Sequence, residues 1–219
     1  MRLIIHDLHD LHDLHYLLTL PVLPDLHDLP DQLTPPELPA PPDKHNLPYL
    51  HDLHDLHALP AFDIDAPPDC GDGPKTRIIT DNGAIKHCIG CFGCWVKTPG
   101  KCVLNDQYSE MGALMGCCTE LTIISECVYG GFSPFVKNVL DRSISYISPH
   151  FATRNGEMHH KRRYDNVINI TVHMYGGDIT ASERETAINL IAANALNFGA
   201  TIGDINFYAT ATEAKEALI

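Results

Sequence analysis

The densest chemistry in this chain of 219 residues lies at Cys88-Ile-Gly-Cys91-Phe-Gly-Cys94-Trp-Val-Lys-Thr-Pro-Gly-Lys-Cys102, four thiols spaced C-x2-C-x2-C-x7-C. Cysteines three positions apart can converge on one centre if the backbone curls between them, and Gly90 and Gly93 allow this without a side-chain clash. Thiolates are nucleophiles, soft metal ligands and redox partners, so the segment reads as a redox or metal site. Of the other cysteines, Cys117, Cys118 and Cys127 fall in helix or strand contexts and are expected in the core. Cys70 stands alone as an exposed thiol. This bunching does not suit the disulfide framework of a small secreted domain, and reduced thiols in a cytoplasm are expected. No Ser-His-Asp or paired-carboxylate constellation competes, and no catalytic side chain is assigned.

Two further segments offer backbone chemistry. In Glu126-Cys127-Val128-Tyr129-Gly130-Gly131-Phe132-Ser133, paired glycines precede a helix N-terminus and present N–H groups suited to an anionic or strongly hydrogen-bonding ligand. Tyr175-Gly176-Gly177-Asp178 repeats the theme. A plain tight turn explains either Gly-Gly pair taken alone.

The elements that must position these segments are short apolar runs alternating with amphipathic stretches. Strands are expected at residues 2 to 6, 76 to 80, 121 to 125, 167 to 173 and 201 to 208, each rich in β-branched or apolar residues. The second closes on the turn signal Asp81-Asn82-Gly83. Ser133-Pro134 starts a helix with Val136, Val139, Leu140, Ile144 and Ile147 on one apolar face. Thr180-Ala-Ser-Glu183 is a capping box opening a helix through Phe198, with Ala187, Leu190, Ile191, Asn194 and Leu196 near its buried side and Gly199 as its stop. A third helix is expected from about Asp106 to Cys118, with Met111, Leu114 and Met115 inward. This pattern gives an α/β fold, a doubly wound five-stranded parallel sheet whose ligands bind beyond the carboxyl ends of the strands.

Composition divides the chain. Residues 1 to 75 hold 13 of 16 prolines, 9 of 14 histidines and 14 acidic residues against Arg2, Lys44 and Lys75, and so carry about −11 of the formal charge of −13. The domain reading is therefore a first strand in residues 1 to 8, a low-complexity Asp-Leu-His and proline-rich insertion over 9 to 75, and the rest of the fold over 76 to 219. The repeat has a period of three, so its leucines drift around a helix axis, and beyond a short helix over residues 8 to 20 the prolines read as linker. His9, His12 and His15 invite a metal reading, but without a rigid framework a solvated insertion is the expectation. An acidic chain has no general attraction for nucleic acid; the only basic run is Lys161-Arg162-Arg163. No apolar run reaches a membrane span and no secretory apolar region follows Arg2, so a cytoplasmic protein is expected.

The motif Cys-Ile-Gly-Cys-Phe-Gly-Cys-Trp, with Pro-Gly-Lys-Cys after it and the stretch from Val128 to Arg142, resembles the NADPH-dependent FMN reductase-like branch of the flavodoxin-fold superfamily over roughly residues 76 to 208 plus the opening strand. The resemblance implies a flavodoxin-like fold in which Lys137, Asp141 and Arg142 form the Lys-x-x-x-Asp-Arg pattern of the helix after strand three. It implies FMN, with Tyr129, Gly130, Gly131, Phe132 and Ser133 along the flavin-facing loop, Gly176 and Gly177 in a further one, and Trp95 over the cysteine loop or the flavin edge. N–H groups of Gly130 and Gly131 would tune the ring. NAD(P)H would be the electron donor, the acceptor a small molecule or protein, and the assembly a homodimer or homotetramer. The connection from Ser148 to Asp165 is expected as a solvated loop, with a lid over the flavin as the alternative.

One departure is plain: strand one runs into His6-Asp7-Leu8-His9-Asp10 where the family places a hydroxyl-rich phosphate loop, and aspartates there repel a phosphate dianion. A non-catalytic flavodoxin-fold protein that has lost its phosphate site is therefore an alternative, as is an iron–sulfur flavoprotein electron carrier. For Cys88, Cys91, Cys94 and Cys102 three readings stand. One is a [4Fe-4S] cluster, as in the compact motif of iron–sulfur flavoproteins. Another is zinc, less natural because structural zinc usually uses two separated knuckles. The third is a set of reduced, partly buried cysteines lining a loop.

Overall fold

A computed structural model of the chain describes residues 1 to 8, 70, 76 to 154 and 156 to 218. The Asp-Leu-His insertion, apart from Cys70, lies outside the described residues, as do the short helix over 8 to 20 beyond its first residue and the histidines His9, His12 and His15. The main sheet contains β1 (Arg2–His6), β2 (Thr76–Thr80), β3 (Glu120–Glu126), β6 (Asn169–Tyr175) and β7 (Thr201–Tyr208). Its spatial order is β2-β1-β3-β6-β7 and every pairing is parallel. A separate antiparallel pair joins β4 (Ile147–Arg154) to β5 (Glu157–Arg162). The helices are α1 (Gly93–Val96), α2 (Met111–Gly116), α3 (Pro134–Arg142), α4 (Ala181–Phe198) and α5 (Ala211–Glu216).

Side-chain alternation along the strands divides the core. Leu3, Ile5, Leu121, Ile123, Ile170, Val172 and Met174 share one cluster with residues of α2, α3 and α4, among them Met111, Met115, Val136, Val139, Ala187 and Ile191. Ile4 and Ile124 point the other way and pack with Ala214 of α5. Each fully buried Leu, Ile or Val contributes about 1.5–3 kcal/mol of apolar burial, and the central strands hold most of them.

Local signals explain the helix ends. Ser133 caps α3, its hydroxyl accepting from the Val136 N–H at 3.3 Å, with Pro134 at the first helical position. Thr180 and Glu183 form the reciprocal capping box of α4, and Gly199 stops it at φ +63°. The buried side of α4 is Ala187, Ile191, Ala195 and Phe198; Asn194 and Leu196, expected inward, are only partly covered. Among the described residues, no helix is long and apolar enough to cross a membrane.

Several expectations are corrected. The helix expected from Asp106 to Cys118 is helical only over Met111–Gly116. Its first part is turn because the Asp106 carboxylate accepts from the Tyr108 N–H at 3.0 Å and is drawn to Arg142. The helix from Ser133 ends at Arg142 and does not reach Ile147: Ser143 donates back to the Val139 carbonyl, Ile144–Tyr146 tightens to a 3-10 turn and Ile147 opens β4. The connection expected as a solvated loop is the β4–β5 hairpin, and Arg154 and Arg162 tie it to the carbonyls of Leu196, His160 and Asn166. Cys70 is not an isolated thiol, and Cys117 is not a free core one: the two form a disulfide.

Candidate functional site

The carboxyl ends of β1, β3 and β6 meet where the strand order reverses, and Asp7 fastens them. Its carboxylate is buried, accepting the Glu126 N–H at 2.9 Å and the Tyr175 hydroxyl at 3.0 Å. Burial, then the charge of Asp7, holds the Tyr175 phenol well above its ordinary pKa, so the hydroxyl stays a donor. Above this knot the chain after β3 makes a tight turn. Val128 and Gly131 exchange backbone hydrogen bonds at 3.0 and 2.8 Å, with Tyr129 and Gly130 between them at φ +53° and +80°. A tyrosine at positive φ is rare, and here Tyr129 is 88% exposed.

Gly130 is required twice over. Besides its φ, a Cβ there would stand 2.7 Å from Thr186 Cβ and 2.8 Å from the Glu183 carbonyl, so the turn lies flush against the first turns of α4. The β6 loop is adjacent: the Cys127 N–H donates to the Tyr175 carbonyl at 2.8 Å, and the Gly176 N–H donates to the Tyr208 carbonyl at 3.1 Å. A Cβ at Gly177 would meet open space, so that residue borders the opening above the sheet.

The structure thus brings Tyr129, Gly130, Gly131, Gly176 and Gly177 to one edge of the sheet, with three differences from expectation. The Gly131 N–H is spent on the Val128 carbonyl at 2.8 Å, so it is not a free donor. Phe132 is buried in the core and supports the turn from below. Ser133 gives its N–H to the Ser125 hydroxyl at 2.8 Å and its own oxygen to α3.

Trp95 belongs to another region. Its indole N–H donates to the carbonyls of Ile147 and Ile144 at 3.0 and 3.3 Å, and its ring lies 4.7 Å from His160 and 5.4 Å from Phe92. It therefore pins the cysteine loop to the β4–β5 hairpin. Cys88, Cys91, Cys94 and Cys102 all line one small cavity of about 60 Å³, together with Ile89, Phe92, Leu104, Ile144 and Arg142. Cys88 and Cys91 are exposed and Cys94 is buried. Burial, then the neighbouring Cys102, Cys91 and Cys88, pushes the Cys94 thiol up to about 11. Taking several of these thiols to thiolates therefore needs a compensating positive charge.

Part of that charge is in place. Arg142, whose side chain is wholly shielded, donates from Nε to Cys102 Sγ at 3.1 Å and is paired with Asp106. Asn138 presents its Oδ1 to the Cys88 N–H, and its buried Nδ2 has no hydrogen-bond partner among the described residues. No group of three or more Cys, His, Asp or Glu among the described residues is already arranged to hold a metal ion, so a cation would have to draw the thiols inward.

No family model matches the chain, and no curated protein matches it.

Asp106 and Asn138 are the residues that sequence reasoning missed. Arg142 is visible only as part of a helix pattern. An Asp four residues after the last cysteine carries no motif signal, and its pairing with Arg142 spans 36 residues.

Proposed function

We propose that the protein is a flavin-dependent oxidoreductase of flavodoxin-like fold, moving electrons from a nicotinamide cofactor to an acceptor. The observation that carries this reading is Tyr129: an exposed aromatic residue held at positive φ on a tight turn, at the carboxyl end of the sheet where the strand order β2-β1-β3-β6-β7 reverses. Flavodoxin-like sheets bind FMN at that switch point. Tyr129, Gly176 and Gly177 would flank a planar ring, and bound FMN would supply hydride acceptance and one-electron release.

The described residues do not fit the phosphate end equally well. Asp7 stands where β1 ends and already takes the Glu126 N–H that an anion would use. FMN held at Tyr129 must then place its phosphate on other groups. The decisive experiment is anaerobic purification, reconstitution with FMN and addition of NADH or NADPH. Structured flavin bands that bleach on addition support the reading, and a protein that neither retains FMN nor oxidises the nicotinamide refutes it.

A second reading, an electron carrier with a thiolate-held metal centre, is favoured by the four thiols on one cavity beside a buried guanidinium. Soft thiolates suit an iron–sulfur cluster or another thiophilic cation, and the half-buried Leu104 and Ile144 would limit its contact with water on one side. The same purification tests it, through iron and sulfide content.

A further inference from the structure

The cysteine motif is held together from outside itself. Its fourth thiol lies seven residues beyond the third, and a single side chain on α3 joins the two arms. Arg142 Nη1 donates to the Lys86 carbonyl at 2.7 Å and to Asp106 Oδ2 at 2.8 Å. Nη2 donates to the Leu104 carbonyl at 3.2 Å and to Asp106 Oδ1 at 2.7 Å, and Nε to Cys102 Sγ at 3.1 Å. Lys86 lies two residues before the first cysteine and Leu104 two residues after the last. One guanidinium therefore clamps both ends of the loop and touches a thiol inside it. Asp106 braces the same junction, accepting the Lys86 N–H at 3.1 Å. Only the rigid five-donor fork of arginine can serve these acceptors together; lysine has the charge but not the geometry.

We propose that Arg142 is the positioning residue of the four-thiol site, holding Cys102 against the arm at residues 88 to 94 and giving its sulfur a charged N–H donor, so that the thiols can take up a soft cation. This rests on reading the cavity as a thiolate site. Binding releases a proton from each thiol that ligates and leaves negative charge in a cavity that Asp141 also lines; the cation offsets that charge, and the Nε–H of Arg142, whose own charge is shared with Asp106, steadies the sulfur of Cys102. Outer-shell partners of this kind change metal affinity by about 10–100-fold.

Cobalt(II) is the probe, titrated into the full chain under nitrogen, because thiolate-to-cobalt charge-transfer absorption scales with the number of thiolates bound. The wild type is expected to bind one cobalt with a four-thiolate signature, and Cys102→Ser to give a three-thiolate one. Arg142→Gln is expected to weaken binding about 10–100-fold, and Arg142→Lys to restore only part of the loss. In the metal-free protein, Arg142→Gln is expected to slow alkylation of Cys102, whose thiolate loses its charged N–H donor, while leaving Cys118 and Cys127 unchanged, whereas a merely structural role would speed all three. If Arg142→Gln does not fold, Arg142→Lys decides by the same two readouts. Wild-type affinity and intensity in the arginine variants would overturn the proposal while leaving the thiolate site standing. A wild type that takes up no cobalt overturns both.

Discussion

Replacing Asp106 with Asn tests how far the cysteine loop depends on its buried ion pair. Asp106 Oδ1 accepts from Arg142 Nη2 and the Tyr108 N–H, and Oδ2 from Arg142 Nη1 and the Lys86 N–H, all between 2.7 and 3.1 Å. Asparagine keeps one oxygen and turns an NH2 toward two donors, leaving the shielded Arg142 charge without its counterion. Breaking a buried pair in this way costs about 3–5 kcal/mol, a large part of the 5–15 kcal/mol typical of a domain. With a urea slope of about 2 kcal/mol/M, the midpoint should fall by about 2 M.

The pH dependence has a fixed sign. Burial alone would raise the Asp106 pKa, but the hydrogen bonds from Arg142, Lys86 and Tyr108 outweigh it and hold the carboxyl below its ordinary value. The stabilisation is therefore complete above the unfolded value of about 3.9 and is lost as pH falls through the lower folded value. Urea melts of the wild type and Asp106→Asn should differ by a constant amount from pH 7 to about pH 5, and converge below about pH 4. A difference under about 1 kcal/mol at pH 7 would show that water screens the pair, and would refute its structural role.

Gly130→Ala meets both a φ of +80° and the atoms of Thr186 and Glu183, so circular dichroism melts should show a loss of about 1–3 kcal/mol. Asp7→Asn keeps an acceptor for the Glu126 N–H and removes a charge from the end of β1; with the phosphate held by other groups, FMN fluorescence titration should show affinity unchanged within about twofold, and binding about tenfold tighter would put the phosphate beside β1 after all. The Cys70–Cys117 disulfide closes a loop with a sequence separation of 47, so Cys117→Ser should lower stability by about 4 kcal/mol when measured without reductant. Mass spectrometry of the unreduced wild type should lack two alkylatable thiols.

Local rules carried most of the fold. The five strands of the main sheet are legible because their apolar runs end at turn chemistry such as Asp81-Asn82-Gly83, where Asp81 and Asn82 accept from the N–H groups of Gly83 and Ala84, two residues on. The caps of α3 and α4 are legible because Ser133 and Thr180 precede apolar periodicity. What failed depended on distant partners. Residues 106 to 110 have a helical pattern, but Arg142 draws Asp106 out of it. The β4–β5 hairpin has polar, weakly alternating strands, and its arginines reach beyond it to the carbonyls of Leu196 on α4 and Asn166 in a neighbouring loop. In the site, positions were legible but donor accounting was not. The sequence places Gly130 and Gly131 before a helix, and only the turn geometry shows that the Gly131 N–H is already used.

Flavin binding at the Tyr129 turn is open to direct measurement. An FMN titration of the wild type against Tyr129→Ala, followed by flavin fluorescence, reads this directly, since Tyr129 is exposed and its truncation leaves the core intact. Wild-type binding with quenched emission, and a loss of about tenfold or more in the variant, is the predicted result for stacking worth about 1.4 kcal/mol or more. Equal affinity and equal emission in the two proteins would contradict it.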